Sequence, residues 1–296
     1  MSAIGSIIGR TAHTNSFSLG EFHISTILDG FLRRDNPSEI FGTNQSPDDV
    51  KALCKENNLP TNAFFHCFSP TLVRVGSETI LFDTGFGPAG RKAGNGQLRN
   101  RLSEIGVVPE DITKIVLTHM HGDHVGGLME EAETPAFPNA EILCSKVEYD
   151  FWLDDLLLSG SLEAGARLVR QNLLPLRERV SFFGDRDEIF GGITARSAFG
   201  HSPGHSAFML ESNDQRLMLT ADTANHFALS LQRPDWHVFF DMDKNKAAES
   251  RHRIFGELAD ERIPFIGHHM PFPSAGYVSR AEIGFSFMPM TYQFDL

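Results

Sequence analysis

His119-Met120-His121-Gly122-Asp123-His124 brings four potential metal ligands into six consecutive residues. The run before it, residues 114–118, is apolar and β-branched and predicts a buried strand. The run after it, residues 125–128, predicts the opening of a helix. The six residues therefore lie in a turn at the carboxyl end of a strand, where a rigid scaffold commonly presents its ligands.

The spacing within this turn allows two metal ions to be bound side by side. In an extended segment His119 and His121 point the same way, because side chains repeat every second residue, and both imidazoles can reach one ion. Asp123 and His124 follow the turn and can reach a second ion beside the first. Imidazole and carboxylate at this density suit a borderline divalent metal such as zinc better than they suit a solvated polar loop.

Composition narrows the class of partner. The chain has 296 residues and a formal net charge of −12, with 41 % hydrophobic and 22 % charged residues, which is ordinary for a globular protein. The negative charge argues against nucleic acid and against an anionic membrane surface as partners. No apolar run approaches the ~18 residues that span a bilayer. The N-terminal residues do not match a secretory signal, so we expect a cytoplasmic protein that acts on a small molecule. A homodimer is an open alternative to a monomer.

The segment 118–127 resembles the HxHxDH motif of the metallo-β-lactamase superfamily, and other segments follow in the family's order, so that the resemblance covers roughly residues 20 to 290. It implies an α+β fold, a four-layer αββα sandwich of two sheets with helices on both outer faces. Pattern and composition alone indicate only a mixture of helices and strands. We expect one domain over residues 21–296. Residues 1–20 would form an arm that is poorly ordered or packed on a partner.

Three further segments resemble motifs of the family. Residues 201–205, HSPGH, are similar to its His-x-Pro-Gly-His segment, whose second histidine binds metal. This implies His205 as a ligand and gives His201 a supporting role. Asp222 ends an apolar strand, where the family places the aspartate that bridges two metals. Asp83, in an Asp-Thr-Gly-like segment, would support the site through a ligand histidine, because such histidines usually donate their other N–H to an oxygen.

The last ligand is implied by residues 266–273, IGHHMPFP, which resemble the His-x-Pro-Phe-Pro segment of the methyl parathion hydrolase branch. In that branch the histidine two residues before the first proline binds metal, which implies His269. Neighbouring residues on a strand point to opposite faces, so we expect His268 not to bind the same pair of ions.

Carried over residue by residue, the resemblance implies two divalent metal ions per chain, zinc by default, with manganese, cobalt or iron as alternatives. The ligands are, for the first ion, His119, His121 and His205; for the second, Asp123, His124 and His269; and, as the bridge, Asp222. The metals would act as Lewis acids and ionise a shared water to a bridging hydroxide, so that no Ser or Cys nucleophile is required. Asp123 and Asp222 are the catalytic carboxylates of this centre.

The substrate class follows from resemblance to the methyl parathion hydrolase-like branch, which implies hydrolysis of ester, lactone or phosphotriester bonds. Residues 149–153 and the segment around His269 carry this resemblance. An N-acyl homoserine lactone lactonase is an alternative, although such enzymes often have Tyr three residues after the bridging Asp, where this chain has Asn225. A glyoxalase-II-like thioesterase is another, but its C-terminal helices are not apparent after Pro271. A non-enzymatic metal-binding module conflicts with a cysteine-free ligand set, which is typical of catalysis.

An aromatic pocket that grips the leaving group is implied by the same branch, and Trp152 is its main candidate. The alternative for Trp152 is a core role within the helix predicted over residues 146–158. The spacing of Val147, Phe151 and Leu158 favours the pocket, because it places Phe151 rather than Trp152 on the apolar stripe. The further candidates for the pocket are Phe64, Phe65, Phe68, Asn225 and His226.

Overall fold

The computed structural model describes residues 9, 10 and 12–290. Its strands are β1 (Gly9–Arg10), β2 (Thr14–Leu19), β3 (Phe22–Ile27), β4 (Gly30–Asp35), β5 (Ala63–Phe68), β6 (Thr71–Val75), β7 (Glu78–Phe82), β8 (Lys114–Leu117), β9 (Met129–Glu131), β10 (Thr134–Pro135), β11 (Glu141–Ser145), β12 (Val180–Phe183), β13 (Glu188–Phe190), β14 (Ile193–Ser197), β15 (Ser206–Ser212), β16 (Gln215–Ala221), β17 (Phe265–Gly267), β18 (Ala275–Arg280) and β19 (Phe285–Pro289). Its α-helices are α1 (Pro37–Ile40), α2 (Pro47–Glu56), α3 (Leu98–Glu104), α4 (Gly122–Val125), α5 (Lys146–Trp152), α6 (Glu163–Leu173) and α7 (Lys244–Glu261). Short 3-10 helices cover Gly87–Ala93, Pro109–Asp111, Asp155–Leu158 and Leu174–Arg179.

Two large sheets form the centre of the molecule. The first has eight strands in the order β1-β2-β3-β6-β7-β8-β11-β12, and its last four strands are parallel to one another. The second has seven strands in the order β13-β14-β15-β16-β17-β18-β19, of which only β16 and β17 are a parallel pair. A separate two-stranded antiparallel ribbon is made by β4 and β5. Parallel strands place their carboxyl ends at one edge, and the turns after β7, β8, β16 and β17 carry the predicted site residues.

Three apolar clusters define the order of the layers. One contains residues of the first sheet together with residues of α3 and α6, such as Leu102 and Val169. A second contains residues of both sheets, including Phe82 and Phe208, and lies between them. A third joins the second sheet to α7 through residues such as Phe255. The layers are therefore helix, sheet, sheet and helix, which confirms the predicted α+β four-layer αββα sandwich.

The apolar sequence before the histidine motif forms a strand, β8, that is buried on both faces. In β8, Ile115 and Leu117 belong to the cluster under the helices, and Val116 belongs to the cluster between the sheets. Both faces of the strand are buried, as expected of a parallel strand whose sequence is apolar without alternation. The helix that follows, α4, begins at Gly122, earlier than predicted, so that Asp123 and His124 lie in its first turn.

The predicted N-terminal arm is wrong for residues 14–19. These residues form β2, which pairs antiparallel with β3, and Phe17 and Leu19 are buried between the sheets. The polar residues of β2 concealed the strand, because they too are buried; the hydroxyls of Ser16 and Ser25 are 2.7 Å apart across the pair. Residues 1–8 and 11 of the predicted arm lie outside the described residues.

The helix predicted over residues 146–158 is shorter and buries a different face. Helix α5 ends at Trp152, and its buried residues are Glu148 and Trp152. Val147, which the apolar stripe had placed inside, is 50 % exposed. The hydrogen bonds of Glu148 and the size of the indole therefore decide the buried face.

Among residues 12–290 no helix is both long and apolar enough to cross a membrane.

Candidate metal centre

Three imidazole nitrogens converge after β8 and beside the β14–β15 connection. Nδ1 of His121 lies 3.0 Å from Nε2 of His119 and 2.9 Å from Nε2 of His201. These three residues are called the imidazole group. Burial, and then the proximity of His201, lowers the pKa of His121 to about 3. Burial also lowers the pKa of His119, so His119 and His121 are neutral at ordinary pH. Converging imidazole nitrogens of this kind are the donors that divalent metals such as zinc prefer.

The structure brings His201, and not the predicted His205, to the imidazole group. Both ring nitrogens of His205 are used inside the protein: Nδ1 donates to the Ala198 carbonyl at 2.9 Å, and Nε2 accepts the Asp222 amide at 3.0 Å. A backbone hydrogen bond from the Ala198 amide to the His205 carbonyl extends the pairing of β14 with β15, and this keeps the backbone of His205 in the sheet. His201 lies farther out in the connecting turn, so the first histidine of HSPGH, and not the second, joins the group.

The ring of His201 is oriented by a buried carboxylate that the sequence did not indicate. Its Nδ1 donates to Asp241 Oδ1 at 3.0 Å, and Asp241 Oδ2 accepts from Arg251 at 2.8 Å. Burial opposes ionisation of Asp241, but the bond from His201 and the charge of Arg251 outweigh it and lower its pKa. A histidine whose other N–H is donated to a carboxylate is typical of metal ligands. No motif around Asp241 could have identified it.

A second group combines two carboxylates with two imidazoles. Nε2 of His124 lies 3.2 Å from Asp222 Oδ1, and Nε2 of His269 lies 2.7 Å from Asp222 Oδ2. Asp123 Oδ2 is 3.5 Å from each of these nitrogens. These four residues are called the carboxylate group. Asp222 also approaches Nε2 of His201, at 3.2 Å, so it lies between the two groups.

The donors of this centre fit bound cations. His124 Nε2 and Asp222 Oδ1 are buried, and neither has a hydrogen-bond partner among the described residues. Burial lowers the pKa of His124, but the carboxylates of Asp222, Asp83 and Asp123 outweigh it and raise the pKa well above its usual range. The same negative field favours any cation placed there. Two sets of converging donors joined by one aspartate provide for two divalent metal ions.

Asp83 supports the carboxylate group through a hydrogen bond to the ring of His124. Its Oδ2 accepts from Nδ1 of His124 at 2.8 Å and from the Thr118 hydroxyl at 2.9 Å, while Oδ1 accepts the Thr118 amide at 2.9 Å. The backbone of Asp83 has a φ of 63°, in the left-handed region that costs energy for any residue with a side chain. The strained turn directs the carboxylate at His124, the position where a supporting residue was predicted.

Both members of the His268–His269 pair lie at the centre, contrary to the expectation that they point to opposite faces. Strand β17 ends at Gly267, so neither residue follows strand geometry. His269 donates through Nδ1 to the Cys67 carbonyl at 2.8 Å and turns Nε2 towards Asp222. The Nε2 of His268 is 4.0 Å from Asp123 Oδ2 and has no hydrogen-bond partner among the described residues. His269 makes the closer approach.

A cavity of about 560 Å³ opens over the metal centre. Its polar lining includes members of both ligand groups and Arg34, and its phenylalanine and tryptophan lining is Phe68, Phe86, Trp152, Phe239 and Phe240. Trp152 is also part of the core under the helices and is only 2 % exposed, so the two roles predicted as alternatives coincide. Its indole N–H is donated to Glu148 at 2.7 Å. Trp152 therefore offers the cavity a ring face or edge, and no free donor.

A smaller and mostly apolar cavity of about 270 Å³ also reaches His269. Of the predicted pocket residues it contains Phe64, Phe65 and His226, which therefore line this second cavity and not the metal cavity. His226 accepts two backbone N–H groups through Nδ1, and burial lowers its pKa to about 3. Asn225, also predicted for the pocket, lines neither of these two cavities; it is buried and donates to Asp222 Oδ2 at 3.0 Å.

Sequence comparison identifies the class of protein. The sequence profile of the metallo-beta-lactamase superfamily matches residues 69–277, well over half of the chain. The chain therefore belongs to this superfamily.

Individual relatives are lactonases and hydrolases. The solved structure of AidC, a dizinc quorum-quenching lactonase in complex with a homoserine product, is 27 % identical with a TM-score of 0.87 over 95 % of this chain and 98 % of that one. The hydrolase AbOPH, at 24 % identity, has a TM-score of 0.86 over 96 % and 99 % of the two chains and shows the fold alone. An N-acyl homoserine lactonase of Bacillus cereus is 27 % identical over 56 % of this chain and 60 % of its own length. The chain thus spans about 60 % of that curated relative.

Proposed function

We propose that this protein opens the ring of N-acyl homoserine lactones. The observation that carries the proposal is the arrangement of the two cavities, which both reach His269. The larger one holds the metal ligands, and the smaller one offers an apolar space for an acyl chain. The likeness to AidC over nearly the whole of both chains supports the same reading. Methyl parathion hydrolase-like phosphotriester hydrolysis stays a prediction.

The metal ions would be held by residues of both groups. The ligand set is His119, His121 and His201 for one ion, Asp123, His124 and His269 for the other, and Asp222 between them. We propose zinc for both, because AidC is a dizinc enzyme. When bound, two such ions supply Lewis acidity, which lowers the pKa of water and polarises a carbonyl group.

The protein's own groups would bind and orient the substrate. The ring of Trp152 and the phenylalanines of the metal cavity exclude water from the lactone. Arg34 lines the same cavity with its guanidinium 5.2 Å from the Phe240 ring centre, and its buried Nε has no hydrogen-bond partner among the described residues. A guanidinium in this place can donate to the amide carbonyl of an acyl homoserine lactone. Asp123, with a side chain 16 % exposed against 3 % for Asp222, is the carboxylate placed to carry a proton to the leaving oxygen.

A substrate panel with zinc-loaded protein tests this proposal. The panel contains N-acyl homoserine lactones of increasing chain length, a γ-lactone without the amide, an aryl ester, an aryl phosphotriester and a glutathione thioester. We expect the highest kcat/KM on acyl homoserine lactones, with an increase as the acyl chain grows to fill the second cavity. Dominant hydrolysis of the phosphotriester or of the thioester would replace the assignment.

A variant that fills the apolar cavity locates the acyl chain. Ala63 lines this cavity and is not part of the metal centre. We expect Ala63→Leu to lower kcat/KM for a long-chain lactone about tenfold and to leave a short-chain lactone close to wild type, since one tenfold step corresponds to about 1.4 kcal/mol of lost binding. Equal loss on both lactones would place the chain elsewhere.

A further inference from the structure

Glu148 is a buried carboxylate that belongs to neither ligand group. It lies in α5, is 1 % exposed, and follows no motif recognised in the sequence. Its two oxygens accept four hydrogen bonds: Oε1 from the Met120 amide at 3.0 Å and the Trp152 indole at 2.7 Å, and Oε2 from the Ser202 hydroxyl at 2.8 Å and the Gly204 amide at 2.7 Å. Such complete satisfaction is what a buried charge requires.

The four bonds divide between the two turns that form the imidazole group. Met120 lies between His119 and His121, so its amide belongs to the peptide chain that carries both rings. Ser202 and Gly204 lie in the turn that begins with His201. One carboxylate therefore bonds to two turns that are separated by about 80 residues of sequence. The two turns are close in space, since His121 Nδ1 lies 2.9 Å from His201 Nε2.

The packing around this carboxylate leaves little freedom. A Cβ atom at Gly204 would lie 2.4 Å from the backbone nitrogen of Glu148, so the turn rests directly on α5. A Cβ atom at Gly165 would lie 2.9 Å from the Trp152 ring, so the indole is wedged against α6. The ring of His121 is in edge contact with Trp152 at 5.8 Å. The helix, the two turns and the cavity wall are thus held as one unit.

The chemistry of the donors explains why a carboxylate is needed. Two backbone amides and the indole N–H can only donate, so three of the four positions require an acceptor on Glu148. A glutamine of the same shape would turn an N–H towards at least one of these donors and lose that bond. An aspartate would keep the charge but would be one methylene too short to reach both turns.

We propose that Glu148 is a positioning residue, which sets the distance between the turns bearing His119, His121 and His201 and so the affinity of the imidazole group for its ion. The competing explanation of any effect is electrostatic, because a nearby carboxylate attracts a cation without touching its ligands. The proposal rests on the metal centre and not on the acyl homoserine lactone substrate. Its test measures metal binding, so its failure and a failure of the proposed substrate are distinguishable.

The test compares zinc binding by Glu148→Gln, Glu148→Asp and Asp150→Asn, using the full chain, competition with a chelator, and elemental analysis after dialysis. Asp150 is the matched control, since it lies in the same helix and its exposed side chain pairs with Lys146. We expect wild-type binding in the control. Both Glu148 variants should keep one ion with wild-type affinity and bind the other about 10–100-fold more weakly, the usual effect of removing a group that orients a metal ligand.

Two outcomes overturn the proposal. Wild-type affinity for both ions in a folded Glu148→Gln variant shows that the hydrogen bonds are dispensable. Full recovery in Glu148→Asp shows that charge, and not reach, is what the metal requires.

A second pair of variants applies if the Glu148 variants do not fold. Ser202→Ala removes a donor from the turn of His201, whereas Ser181→Ala removes a serine hydroxyl that donates to Glu141, away from both turns. We expect Ser202→Ala to weaken the binding of one ion several-fold and Ser181→Ala to leave both affinities unchanged. The reverse order contradicts the proposal.

Discussion

The imidazole group and the carboxylate group meet at Asp222 but are built differently. The imidazole group consists of three histidine rings, and the carboxylates beside it act through hydrogen bonds: Asp241 accepts from the ring of His201, and Glu148 accepts from the turns that carry the rings. The carboxylate group brings Asp123 and Asp222 themselves into the ring of donors. Charge therefore dominates the second group, while in the first the placement of the imidazole rings has to supply the affinity for a metal ion. The two groups should respond differently to the same kind of substitution.

The largest effect should come from Asp222→Ala, because Asp222 belongs to both groups. Without it, two cations would face each other with no anion between them. We expect metal content to fall well below two ions per chain and kcat/KM to fall by at least about 10²–10³-fold. Elemental analysis and kinetics on the same sample test this. Full metal content in the variant would show that the two groups bind their ions independently, and it would contradict the role of Asp222 as a member of both.

The next effect separates the two histidines of HSPGH. His201→Ala should remove one ion and lower kcat/KM about 100-fold, since one of three imidazole ligands is lost. His205→Ala should keep both ions and lower the free energy of unfolding by about 1–3 kcal/mol, because two buried hydrogen bonds disappear. Metal analysis and chemical denaturation of both variants check this. The opposite pattern would restore His205 as the ligand.

A smaller contrast concerns the adjacent pair in the carboxylate group. We expect His269→Ala to weaken metal binding about 10–100-fold and His268→Ala to weaken it several-fold less, because His269 reaches Asp222 at 2.7 Å and its other nitrogen is anchored on Cys67. Competition titrations with zinc give both affinities. If the order is reversed, His268, whose Nε2 is also directed at Asp123, is the ligand.

The smallest effect should come from Asn225→Ala. Asn225 donates to Asp222 and does not line either cavity, so its loss should lower kcat about three- to tenfold with little change in KM on every substrate, in line with one hydrogen bond to a charged group. Steady-state kinetics on one long-chain and one short-chain lactone test this. A change in KM confined to one substrate would return Asn225 to the pocket.

Local features of the sequence were enough to predict one half of the centre. His119, His121, Asp123 and His124 occupy a single turn, and β8 before them is apolar on both faces, so the spacing alone brings their donors together. Asp222 and His269 end strands of the second sheet and were predicted by resemblance to family motifs. The αββα order followed in the same way, although strand β2 was not predicted because several of its buried residues are polar, such as Ser16 opposite Ser25.

Only the tertiary structure decided the other half. Whether His201 or His205 faces the metals depends on where the β14–β15 ladder ends, which brings Ala198 and Asp222 to the ring of His205. Asp241 and Glu148 carry no local signal, since the histidine-bearing turns that they contact are 28 to 56 residues away along the chain. The residue type alone does not show whether a carboxylate is buried or exposed. The hydrogen-bond donors that the fold places around it determine whether it can be buried.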